Sequence, residues 1–161
     1  MRFRQRNVHQ SIYLYIEDVL DSLGWTTEPG LIGEVVKVID YEPQEAGEIP
    51  PEGTVAVSIG DQGPTKGVEL GDGLRETAYA VFIDVYPSNE SIGISIAEDI
   101  SDAIVENTIP LYDYSGSTPV ATGEGIEFDR VLVQKLTGQG AIDKRPWRVV
   151  KATAYLRYSP S

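Results

Sequence analysis

Apolar side chains recur along residues 8–23 at Val8, Ile12, Tyr15, Ile16, Val19, Leu20 and Leu23. That is the i, i+4, i+7/8 spacing of a helix with one buried face. Asn7 is placed to cap its start, and Gly24 stands where a left-handed residue would end it. Beyond the turn at Pro29-Gly30 the runs Glu34–Tyr41 and Thr54–Ile59 are dense in Val and Ile and read as strands. Along Arg75–Tyr86, Tyr79, Val81, Ile83 and Val85 alternate with Ala80, Phe82 and Asp84, so both faces are apolar until the end. Pro87 stops this strand, and Ser88 or Asn89 caps a second predicted helix that runs to about Asn107. Its stripe is Ile92, Ile96, Ile100 and Ile104; isoleucine is a middling helix former, so this helix needs a sheet to pack against. Two more strands follow, Ile126–Leu136 and Trp147–Tyr158. In the last, Val150, Ala152, Ala154, Leu156 and Tyr158 share one side; Lys151, Thr153, Tyr155 and Arg157 share the other.

The segments 42–53, 60–73 and 109–125 are rich in Gly and Pro, the last also in Ser and Thr, and read as long loops, of a length that tends to carry function. Short connections favour antiparallel pairing. The expected class is α+β, one mostly antiparallel sheet with two helices packed on one face, in a single domain over residues 1–161.

Charge adds a second pattern. Of a net −12, residues 11–129 hold 24 acids against Lys37, Lys66 and Arg75, whereas 130–161 hold seven bases against Asp143 alone. An acidic body argues against general nucleic-acid binding, which needs a basic face. No run of about 18 apolar residues is present, so no membrane span is expected, and the N-terminus lacks the apolar core of an export signal.

A search for chemistry finds little. There is no cysteine, and the one histidine, His9, reads as a solvated residue in the first helical turn. No Gly-x-Ser-x-Gly elbow is present. Gly71-Asp72-Gly73 and Gly123-Glu124-Gly125 enclose carboxylates that would repel phosphate, and read as turns. Asp61, Glu69 and Asp72 share a loop but lack the calcium-loop pattern. Neither catalysis nor a cofactor nor a metal is expected.

Contact surfaces are the better candidates. Glu98, Asp99 and Asp102 place like charges on neighbouring helical turns, which a partner's bases could offset; Lys151 and Arg157 on the last strand are one source. Arg2, Arg4 and Arg6 would all point to one side if residues 1–7 formed an extended basic arm.

Four segments give the chain a likeness to a known family. They are Glu34-Val-Val-Lys-Val-Ile-Asp-Tyr-Glu-Pro43, Pro50-Pro-Glu-Gly-Thr-Val-Ala-Val-Ser-Ile-Gly-Asp-Gln-Gly-Pro64, the strand-to-helix passage Tyr79–Ile104, and Arg145-Pro-Trp-Arg-Val-Val-Lys-Ala-Thr-Ala154. With these the chain resembles the tail terminator proteins of long-tailed bacteriophages, especially those of actinobacterial phages. The resemblance implies a hexameric ring in the virion, at the junction of tail and neck. Its partners would be further copies of itself, the major tail tube protein below and a head-closure or neck protein above, with DNA passing the lumen without specific binding. It implies no cofactor and no reaction, and it transfers no functional residue. Other virion rings, such as head-closure or tail-tube proteins, and a cellular non-catalytic α+β binding domain are the alternatives.

Overall fold

The computed structural model describes residues 4–26, 35–60, 68–70, 74–105, 107–137 and 145–158, with only the backbone considered at 68–70, 74–77, 157 and 158. Helix α1 spans Arg4–Ser22. Strands β1 (Lys37–Ile39), β2 (Thr54–Ile59), β3 (Val68–Leu70) and β4 (Leu74–Tyr86) follow. Then come α2 (Glu90–Ile104), β5 (Thr108–Asp113), β6 (Val120–Leu136) and β7 (Trp147–Tyr158).

The strands form one sheet in the order β1-β2-β4-β7-β6-β5, with β3 attached to β4. All pairs are antiparallel except β1 with β2, which run parallel. The expectation of antiparallel pairing fails at that one place because the link from β1 to β2, residues 40–53, is long enough for a crossover. Both helices pack on one face, and the α+β class expected from the pattern is the class observed. The four segments quoted above fall on β1, β2, β4 with α2, and β7, so their strands are consecutive neighbours in the sheet.

The core lies between the helices and this inner face. Val8, Ile12, Ile16 and Leu20 supply one stripe and Ile92, Ile96, Ile100 and Ile104 the other, all at 6% exposure or less. Beneath them lie Tyr79, Val81, Ile83 and Val85 of β4 and Val150, Ala154 and Leu156 of β7. Each fully buried aliphatic side chain contributes about 1.5–3 kcal/mol. Asn89 caps α2, its side-chain oxygen accepting from the Ile92 N–H at 3.0 Å.

Three expectations are corrected. Residues 4–7 are helical, so Asn7 lies inside α1 and does not cap it. Segment 109–125 is largely strand: β5 and the start of β6 form a hairpin there, with Gly123 at φ 82° inside β6 and Gly125 opposite Pro110. Pro110 is tolerated because β5 is the last strand of the sheet and its missing N–H costs no pairing on the outer side. Finally, the loop expected at 60–73 contains β3, paired with β4 through Val68↔Glu76 and Leu70↔Leu74. Gly71-Asp72-Gly73 and the side chains of Asp61, Glu69 and Asp72 lie outside what is described.

Candidate assembly interface

Sheet margins expose unpaired backbone groups, and α1 meets several of them here. Its buried Asn7 and Ser11 accept hydrogen bonds from the backbone N–H groups of Tyr114 and Tyr112, at 3.0 and 3.1 Å, and so close the outer edge of β5. Asn7 also donates to Asp113, at 3.3 Å, and that carboxyl is held below its usual range, chiefly by the Ser115 N–H. On the opposite margin His9 Nε2 donates to the Val57 carbonyl at 2.8 Å, and the Tyr13 hydroxyl reaches the Val38 carbonyl at 3.4 Å. One helix thus spans both margins of a curled sheet. The expectation of a solvated His9 is therefore corrected: half-buried, it pins α1 to β2.

One long stretch of edge stays open. β5 pairs with β6 only as far as Glu127, so residues 128–136 have β7 on one side and no strand among the described residues on the other. A bulge interrupts β6 between Asp129 and Leu132, where Arg130 takes φ 56°, the only non-glycine at positive φ among the described residues. Next to it Leu132 and Val133 are 56% and 40% exposed. Lys135 pairs with Glu90 at 2.6 Å, and Arg148 reaches the same carboxylate at 3.2 Å, which holds that carboxyl below its usual range, first through Lys135.

At the other margin, between the start of α1, β2 and the loop after β1, is an open groove of about 690 Å³. Asp40, Glu45, Tyr41, Ala46 and Ile59 line it, together with Arg6 of α1. Ser58 in its wall is level with Leu132, because the pairings Ser58↔Phe82, Phe82↔Lys151 and Leu132↔Lys151 form one row across the sheet.

The outer face of the sheet is covered at this end by the loop that follows β1. Asp84, 8% exposed, accepts from Trp147 Nε1 at 2.9 Å. The Tyr86 hydroxyl donates to Glu42 at 2.5 Å, and Arg145 donates to the Pro50 carbonyl. Burial, then the nearby Glu42 carboxylate, push the Asp84 carboxyl up to about 7, partly offset by Trp147. Two carboxyls this near disfavour each other's ionisation, so the Asp84 proton is retained to higher pH. Glu42 Oε2 is buried without a hydrogen-bond partner. Burial likewise raises the Tyr86 hydroxyl.

The sequence-derived interface residues do not gather in one place. Arg2 lies outside the described residues. Arg4 and Arg6 are on α1, where a separation of two turns them to different sides, so the one-sided extended arm is not formed at these positions. Glu98 and Asp102 are exposed one turn apart on α2. Asp99 turns inward and accepts from Trp25 Nε1 at 2.7 Å, which docks the end of α1 on α2. Lys151 stands on the outer face opposite Leu132, away from the helices; Arg157 pairs through its backbone with Glu76 and Gly125. Sequence reasoning missed Asn7, Ser11, the groove and the open edge. A signal for the last was present: Val131, Leu132 and Val133 are three apolar residues in a row, which strict alternation cannot bury.

The geometry defines an α+β domain with one open strand edge and an acidic groove, and among its described residues no cluster of three or more metal-ligating side chains. No family model matches the chain, and no curated protein does. Among solved structures it is similar to a chain in the virion of a native gene transfer agent particle, at 13% identity and a TM-score of 0.48, covering 98% of this chain and 100% of that one. Values this low say nothing of what the chain does.

Proposed function

We propose that this chain is a structural virion protein, a tail terminator whose copies close into a ring, with six the expected number. The ring caps the tail tube, ends its polymerisation and joins tail to neck, and no reaction is involved. The observation that carries this reading is the placement of the four segments resembling that family. They are scattered over residues 34–154, yet their strands are adjacent in the order β1-β2-β4-β7, with α2 on top. A likeness confined to local turns would not gather in this way.

Self-association has support from the margins. A ring needs a heterologous contact, one patch meeting a different patch on the next copy. The open edge at one margin and the acidic groove at the other are such a pair. Negative-stain imaging of the purified chain, alone and with tail tubes, tests the reading. The expected result is single closed rings, free or seated at tube ends; long tubes formed by the chain itself would sink it in favour of a tube protein.

A further inference from the structure

We propose that the open edge of β6, residues 128–136, docks into the acidic groove beside β2 of a second copy. This rests on the reading of the chain as a self-assembling subunit and names the contact.

An uncovered strand edge is a template for another chain, and folded proteins usually blunt it. Here α1 spends Asn7, Ser11, His9 and Tyr13 on covering the other margins, while the edge at 128–136 is left open and carries exposed Leu132 and Val133. The bulge beside it holds Arg130 in a left-handed conformation that is unfavourable for a non-glycine residue. Bulges at sheet edges re-aim side chains, and Arg130 is exposed there.

Charge selects the occupant. On the edge strand Lys135 is already paired with Glu90 and Asp129 stands beside Arg130, so the basic charge offered outward is that of Arg130, with Lys151 on the neighbouring strand. An acidic acceptor complements these two bases, and this chain supplies one. Asp40 and Glu45 rim the groove, and Tyr41, Ala46 and Ile59 offer apolar wall to Leu132. Arg6, near the start of α1, is the one cation among its lining residues. Ser58 of the groove wall and Leu132 of the edge lie on one row across the sheet, so the two patches stand on different margins, as a heterologous head-to-tail contact requires.

Two variants separate the partners of this contact. Leu132→Asp disables the edge and leaves the groove intact; Glu45→Lys with Ala46→Arg disables the groove and leaves the edge intact. By light scattering, wild type assembles, and each variant alone stays monomeric, with self-affinity lowered at least about tenfold. An equimolar mixture stops at dimers, since only one sound contact can form, and that dimer also proves that both variants are folded. The proposal is overturned if wild type stays monomeric, if either variant assembles like wild type (as the groove variant would were two edges to pair), or if the mixture forms no dimer. Long tubes from wild type with the same mixing result would reject the terminator reading and keep this contact.

Discussion

At the residue scale, Asp84 shows how one buried carboxyl ties stability to pH. Its folded-state value near 7 lies well above the ordinary carboxylate value of 3.8. The folded chain therefore binds a proton that the unfolded chain has lost, and stability falls as pH rises through that window. Asp84 contributes in full below about pH 4, and its contribution is gone above about pH 7. Between pH 5 and pH 8 the loss should reach about 2–3 kcal/mol. Above pH 7 the Asp84 and Glu42 carboxylates repel each other, and the loop after β1 should loosen from the outer face. Asp84→Asn keeps an acceptor for Trp147 and gains a permanent donor for Glu42. We expect the variant to match wild type near pH 5 to within about 2 kcal/mol and to exceed it at pH 8. Thermal unfolding across pH 5–8 reads the difference; parallel curves for the two proteins would refute the raised Asp84 value.

At the element scale, the hairpin of β5 and β6 depends on a contact that only glycine allows. A Cβ at Gly125 would lie 2.4 Å from Thr108 Cγ2. Gly125→Ala should therefore push β5 from β6 and cost about 1–3 kcal/mol. Thr108→Ala removes the obstructing methyl, so the double variant should recover most of that loss in denaturant titrations. Simple additivity of the two changes would show that the clash is not the cause. The same hairpin marks where sequence reading ran out. α1, β2, β4, α2 and β7 were legible because each carries a stripe or alternation that one buried face imposes. β5 and the start of β6 look like loop in the sequence because Pro110, Gly123 and Gly125 are typical turn residues. Their roles come from tertiary position: an edge strand that tolerates proline, and a close strand approach that demands glycine. The candidate site was legible as charge segregation and no further. That Asp99 would serve Trp25, and that Asn7 and Ser11 would seal an edge, depends on which elements meet.

At the scale of the whole molecule two electrostatic effects oppose each other when copies associate. Each chain carries a net −12, so approaching copies repel at long range. The proposed contact brings Arg130 and Lys151 against Asp40 and Glu45, which attract at short range. Salt weakens both, but not together. The Debye length falls from about 30 Å at 0.01 M to about 8 Å at 0.15 M, and to about 3 Å at 1 M. The diffuse repulsion between whole molecules is thus removed in the first interval, while opposite charges about 4 Å apart are screened mainly in the second. Association should rise from 0.01 to about 0.15 M salt and fall again toward 1 M. Sedimentation velocity at fixed protein concentration across these salts would show a maximum in the weight-average sedimentation coefficient. A steady rise up to 1 M would instead mean that apolar burial around Leu132 dominates and that the charges on the groove rim do not select the partner. Reversing Glu45 alone should then leave association unchanged, whereas a true maximum should flatten in that variant because only the short-range attraction has been lost.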